Sequence, residues 1–254
     1  LGLETTALGF VAGFTGKAIE DGLAAQGIHT DFIHLPEGNS RINVKVKHGD
    51  ETEINGQGPV ITEEAINELF AKLDTLTKED ILVLAGSIPN TLPEDIYEKI
   101  LARLESKGIR VVVDATKDLL LNVLKYHPFL IKPNNHELGE MFGTVCKTDE
   151  DIVHYAKKLQ EKGAVNVLIS MAGDGAILIT EDGQNIKMGT PKGKVVNSVG
   201  AGDSMVAGFI TGYIRGGNYE EALKSGTAAG SATAFSEGLA SLEMYEKMLK
   251  QITE

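Results

Sequence analysis

The residues best placed to do chemistry lie in Asn197-Ser198-Val199-Gly200-Ala201-Gly202-Asp203-Ser204. Glycines at 200 and 202 let backbone N–H groups converge on one concavity, and an apolar periodic segment behind them (Val206, Phe209, Ile210, Tyr213, Ile214) reads as a helix. A helix N-terminus adds partial positive charge to that concavity, which makes it an anion hole. Asp203 at its edge would repel a resting phosphate. It suits a different task, taking the proton from a hydroxyl that attacks a phosphoryl group held in the hole. The plainer reading is that Asp203 caps the helix.

A second cluster is Ile131-Lys132-Pro133-Asn134-Asn135-His136-Glu137. Lys132 falls at a strand end, and Asn134 and Glu137, three apart, can face one point at a helix start. An amide and a carboxylate there suit water around Mg²⁺, which prefers oxygen ligands and keeps much of its hydration shell; an Asn N-cap with a capping acid is the alternative. Ser170-Met171-Ala172-Gly173-Asp174-Gly175 follows an apolar run, and its glycines permit close backbone approach, either to a ligand or in a simple hairpin turn. Arg41 and Asn43 alternate on one face of a period-two stretch. Arginine suits bidentate binding of phosphate, though an edge strand also carries charge for its own protection.

The elements that position these residues read as α/β. The expected strands are 7–12, 28–35, 81–85, 110–113, 129–131 and 165–169, with a further strand leading into the glycine turn at 195–196. The expected helices are 16–26, 62–73, one opened by Pro93, 148–162, the one after Gly202, 219–235 and 241–251. Residues 176–180 and 187–188 read as antiparallel additions, and 41–55 as a hairpin around His48-Gly49-Asp50. Uniformly apolar strands alternating with amphipathic helices imply a parallel sheet covered on both faces. Ligands in such sheets gather at the carboxyl ends of strands, here Gly86-Ser87, Asp114, Lys132-Pro133-Asn134, Ser170 and the glycine turn.

The 254 residues can bury a large core; 42% are hydrophobic and 24% charged, ordinary for a globular protein. A formal charge of −12 argues against nucleic acid and anionic membranes as partners. The single cysteine, Cys146, allows no internal disulfide, which fits a reducing cytoplasm, and the six histidines show no metal-ligand spacing. No run approaches a membrane span.

Asn197 to Gly208, with the Asn134-x-x-Glu137 string and the Ser170 turn, resembles the ribokinase-like, PfkB-type sugar kinases. The resemblance covers essentially the whole chain. It implies a three-layer α/β/α Rossmann-like fold with a small β-sheet lid, with 1–36 and 59–254 as kinase core and 37–58 as the lid hairpin. It makes Asp203 the catalytic base and Gly200, Ala201 and Gly202 the anion hole. Lys132, Asn134, Ser170, Met171, Ala172, Gly173, Asp174, Gly175 and Gly202 fall on the nucleotide side, with Ala232 and Ser236 walling the adenine pocket. Glu137 would hold Mg²⁺ through water, and Arg41, Asn43 and Ser87 would meet the phosphosugar. Met171 and Ala172 stand where the family usually has Leu and Gly.

The strings Gly56-Gln57-Gly58-Pro59, Gly86-Ser87-Ile88-Pro89 and Ala229 to Gly238 are most similar to members acting on fructose 1-phosphate. The implied reaction is phosphorylation of its 6-hydroxyl by ATP with Mg²⁺, giving fructose 1,6-bisphosphate and ADP, in a cytoplasmic homodimer joined through the lid. A tagatose-6-phosphate kinase is the sibling alternative, and a non-catalytic nucleotide or phosphosugar sensor the alternative of another class. Family members open with a strand, an acidic sugar-binding residue, lid strands and a Gly-Gly-Lys-Gly-x-Asn motif, none of which precedes Leu1. The expectation is therefore an omitted leader carrying part of the sugar site and lid, and little turnover from a chain without it.

Overall fold

A computed structural model describes every residue except Gly49, Ser87 and Glu254, with the backbone alone for 45–48, 50–53 and 253. The chain divides into two compact units, one of residues 2–77 and 87–107, the other of residue 1 with 78–86 and 108–254. These boundaries differ from the expected core and lid, because the hairpin belongs to the first unit as one of several elements.

In the first unit, β1 (Thr6–Ala7) pairs in parallel with β3 (His29–Thr30), and β2 (Phe10–Val11) with β4 (Ile33–His34). The single strand expected over 7–12 is thus two short pieces broken at Leu8-Gly9. Helix α1 (Gly13–Ala25) follows, starting earlier than its pattern indicated. Its start is tied down by Ser40, whose Oγ accepts from Ala12 N–H at 3.0 Å and whose carbonyl accepts from Thr15 Oγ1 at 2.8 Å. Strands β5 (Asn43–His48) and β6 (Asp50–Asn55) form the expected antiparallel hairpin, in which Val44 faces Ile54 and Asn43 faces Asn55. Thr62 caps α2 (Glu63–Leu73) by accepting from Ala65 N–H. Its apolar stripe packs Ala65 against Ile33, Leu35 and Ile61. Helix α3 (Ile96–Leu104) begins three residues beyond Pro93, and its Arg103 forms a bidentate pair with Asp74 at 2.7 and 2.5 Å.

The second unit is built on a six-stranded sheet in the order β12-β11-β10-β9-β8-β7. Strands β7 (Ile81–Ala85), β8 (Arg110–Asp114), β9 (Leu130–Ile131) and β10 (Asn166–Ser170) run parallel; β11 (Ala176–Ile179) and β12 (Asn185–Met188) add on antiparallel, as read from their sequences. Alternate residues divide between the faces. Val112, Leu130, Leu168, Ala176 and Leu178 pack with Met205, Val206 and Phe209 of α7 (Ala201–Gly216) and Ala222 and Leu223 of α8 (Tyr219–Ala234). Val111, Val113, Ile131, Val167, Ile169, Ile177 and Ile179, all buried, occupy the other face. On that side α6 (Asp149–Glu161) lies on β10 and β11, α5 (Asn135–Met141) on β10 and α6, and α4 (Lys117–Val123) on α5. The result is three layers.

Helix α9 (Leu242–Thr253) seats Met248 on Ala228 and Ala232 of α8. Helix α4 carries no clear signal in the sequence: it is short, no side chain caps it, and it opens on Lys117 at φ +52°. The strand expected at 195–196 does not form. Val195 and Val196 are exposed, and the amides of Val196 and Asn197 both donate to the Ala234 carbonyl at the end of α8. β-Branched residues favour a strand only where a ladder neighbour exists. Among the described residues no helix is long and apolar enough to cross a membrane.

Candidate active site

The register of the parallel strands brings the sequence-marked residues into a row. Ala85 is opposite Asp114, Val113 opposite Ile131, and Ile131 opposite Val167. Beyond the regular ladder Asn134 bridges Ser170 in parallel, so the Lys132-Pro133-Asn134 and Ser170 ends lie side by side. Their order along the sheet edge follows from pairing in the core.

Helix α7 has no side-chain cap. Its N-cap is Gly200 at φ +79°, a left-handed conformation that favours glycine. The Ala201 amide donates to the Ser198 carbonyl and the Ser204 amide to that of Gly200. The amides of Gly202 and Asp203 have no backbone acceptor outside the helix among the described residues, and they carry the positive end of a 16-residue helix. Asp203 is exposed on this first turn, three residues inside the cap. The plainer reading of it as the N-cap is set aside by Gly200. Asn197 shapes the approach to the turn, its Nδ2 donating to the Glu237 carbonyl and its Oδ1 accepting from Val199 N–H.

Lys132 is buried, and its Nζ stands 3.3 Å from Asp114 Oδ1. A Cβ placed on Gly202 would stand 3.0 Å from that Nζ, so the ammonium lies directly against the glycine turn. Burial holds the Asp114 carboxyl above the usual carboxylate range; Lys132 pulls it back, and the charges of Asp203 and Glu137 push it further up. Asp114, Lys132, Asp203 and Glu137 therefore share one electrostatic neighbourhood. Asp114 carried only a strand-end marking in the sequence. Its pairing with Lys132 depends on sheet register, which spacing does not give.

Asn134 and Glu137 form a complete capping box. Asn134 Oδ1 accepts from the amides of His136 and Glu137, each at 2.9 Å, and Glu137 Oε2 accepts from Asn134 N–H at 2.8 Å. One carboxylate oxygen is thereby engaged in holding the helix start.

After Ser170 the chain makes a one-turn 3-10 helix over Ala172–Asp174, closed by a bond from Met171 N–H to the Gly175 carbonyl. Thr190 Oγ1 donates to the Gly173 carbonyl. Ala172 sits at φ +48°, a left-handed conformation that favours glycine. A left-handed L-residue costs about 1–2 kcal/mol, of which glycine's greater unfolded entropy would return about 0.5–1. Ala172→Gly is therefore expected to stabilise the protein by about 0.5–1 kcal/mol, read as a higher urea midpoint at unchanged slope.

Ala232, expected in a nucleotide wall, has no exposed surface and packs with Ala228 and Met248. The helix rotation that faces it to α9 was not visible in a run of small residues. Ser236, partly exposed, donates from its hydroxyl to the Ala232 carbonyl. Arg41 and Asn43 belong to the other unit, where both are exposed at the base of the hairpin, and Ser87 lies outside the described residues. Among the described residues no group of three or more His, Cys, Asp or Glu could hold a metal by itself.

An uncapped helix terminus with a carboxylate on its first turn and a buried ammonium beside it, on a layered α/β frame, suits the charge stabilisation that phosphoryl transfer needs. Known proteins agree. Residues 1–244 match the family described as pfkB family carbohydrate kinase, and the chain belongs to that family. It is 50% identical over 250 residues to a 1-phosphofructokinase of Bacillus subtilis (98% of this chain, 82% of the relative). It is 39% identical over 253 residues to a D-tagatose-1-phosphate kinase of Bacillus licheniformis (99% and 83%). Among solved structures, the Escherichia coli phosphofructokinase-2 in complex with potassium superposes with a TM-score of 0.90 at 25% identity, covering 100% of this chain and 84% of that one.

Proposed function

We propose that this carbohydrate kinase transfers the terminal phosphoryl group of ATP to the 6-hydroxyl of fructose 1-phosphate, giving fructose 1,6-bisphosphate and ADP. The observation that carries the reading is the open N-terminus of α7, with Asp203 on its first turn and Lys132 against Gly202. The choice of fructose 1-phosphate is supported by the 50% identity to the Bacillus subtilis 1-phosphofructokinase.

In this reading Asp203 removes the proton from the attacking hydroxyl. The Gly202 and Asp203 amides, on a turn that Gly200 makes possible and Ala201 continues, receive the charge of the transferring group, and Lys132 adds its own. Phosphoryl transfer needs positioning and charge stabilisation more than a strong base, so an exposed aspartate is adequate. Asn134, Ser170 and the turn through Met171, Ala172, Gly173, Asp174 and Gly175 form the nucleotide side, with Ser236 beyond them.

The donor set fits Mg²⁺ arriving with the nucleotide: Glu137 offers one oxygen beside its capping bond, and no all-protein cage exists among the described residues. Glu137 would hold Mg²⁺ through water, and the bound ion would supply charge neutralisation at the nucleotide phosphates. Arg41 and Asn43, with Ser87, are the proposed contacts for the phosphosugar. The other face of the hairpin carries Ile42, Val44 and Ile54 at 58%, 46% and 60% exposure. Such a patch on a two-stranded hairpin supports pairing of two lids in a cytoplasmic homodimer.

The test is ADP release with ATP and Mg²⁺, offering fructose 1-phosphate, fructose 6-phosphate, tagatose 1-phosphate and tagatose 6-phosphate in parallel. Selective turnover of fructose 1-phosphate is expected. Preference for tagatose 1-phosphate would support a second reading, favoured by the 39% identity to the Bacillus licheniformis kinase. Nucleotide binding without turnover of any sugar would point to a sensor.

A further inference from the structure

Three carboxylates, Asp114, Asp203 and Glu137, act on one another at the carboxyl end of the sheet, and Asp114 pairs at 3.3 Å with the buried Lys132 ammonium. Two of them have evident tasks, proton acceptance and helix capping with metal placement. Asp114 has neither. It ends β8, is mostly buried, and its one ion pair among the described residues is with Lys132.

A carboxylate at this depth is costly for an enzyme that binds a polyanion. It repels the nucleotide's phosphates, and burial already opposes its charge. If Asp114 were only a background charge, its removal would tighten triphosphate binding and leave turnover equal or better. The geometry points to a compensating role. Lys132 rises on a flexible four-carbon stem, and its ammonium lies against Gly202, the residue before Asp203. Released from Asp114, it would turn toward Asp203, where an ion pair would occupy the base and withdraw charge from the phosphoryl site. Held by Asp114, it stays against Gly202 in the first turn of α7.

We propose that Asp114 is a positioning residue for phosphoryl transfer: its bond to Lys132 fixes the ammonium under the Gly200–Asp203 turn and keeps it from pairing with the base. The proposal rests on the kinase reading above. It predicts a kinetic signature that a general structural role does not produce. Asp114→Asn keeps the side-chain shape, so the nucleotide KM should stay the same or fall, while kcat falls about 100-fold, the scale of loss when a catalytic group is misplaced by about 1 Å. Because the effect runs through Lys132, it should vanish once Lys132 is gone.

The experiment is a double-mutant cycle on kcat, using Asp114→Asn, Lys132→Met and the pair, with Asp114→Ser as a second variant and a thermal melt on each. The expected result is a double mutant within about threefold of Lys132→Met alone. Losses that multiply, or an Asp114→Asn enzyme within about threefold of the parent, would overturn the proposal. The parent is assayed first: a parent that releases no ADP sinks the kinase reading and this inference with it, whereas an active parent with multiplying losses sinks the inference alone.

Discussion

Asp203→Asn is expected to lower kcat by about 10³-fold, within the range that a positioned general base contributes. Nucleotide affinity should hold or improve slightly, because the substitution removes a negative charge beside the phosphate site. The split is diagnostic. Asp203 is exposed and is not the N-cap of α7, since Gly200 takes that place. Its loss should therefore leave the helix and the fold intact, with a melting temperature unchanged within error. A variant that melts early and binds ATP poorly would show a structural role. A variant with near-normal turnover would remove Asp203 from the chemistry altogether.

The second large effect lies away from the chemistry. A Cβ on Gly208 would fall 2.5 Å from the Ser225 carbonyl oxygen, 2.7 Å from Ala229 Cβ and 2.9 Å from Gly226 Cα. These are largely backbone atoms of α8, which cannot rotate away. Gly212 meets the same limit four residues on, 2.4 Å from the Glu221 carbonyl oxygen. The two helices are packed at a separation only glycine allows, and Ser225 Oγ donates to the Gly208 carbonyl at 2.6 Å across the seam. Gly208→Ala must push α7 outward, at a cost of about 2–3 kcal/mol and about 5–10 °C in melting temperature. The displaced helix carries Gly202 and Asp203, so kcat should fall about 10- to 100-fold in the protein that remains folded. Gly22→Ala in α1, where a Cβ meets nothing within 4 Å, is the control and should gain stability by about 1 kcal/mol. Equal behaviour of the two alanines would refute the packing argument.

The sheet was legible because its strands are short apolar runs bounded by glycine, proline and polar residues, a pattern that buried parallel strands require. The glycine turn and both capping signals were legible because their chemistry is local. What was not legible is what depends on neighbours. Val195 and Val196 have strand propensity but no ladder to join, so they lie exposed beside the end of α8. Ala232 looked like its small neighbours until the rotation of α8 turned it to Met248. Lys132 and Asp114 meet only because β8 and β9 are adjacent and in register. The capping and metal readings of Glu137 looked like rivals in the sequence, yet one carboxylate has two oxygens and the capping bond engages Oε2.

The Asn134–Ser170 bridge makes the sheet a ruler for the site. Neighbouring strands keep a spacing of about 4.8 Å, so the loops that begin at Asn134 and Ser170 are separated by a fixed increment that loop sequence cannot retune. A register slip of one residue would exchange the two buried faces, forcing Leu130 and Leu168 into the places shaped for Ile131 and Ile169. The site therefore has no cheap way to drift. Substitutions in its loops can change what is grasped there, but the spacing of the grip is inherited from the hydrophobic interior and is lost only when that interior is lost.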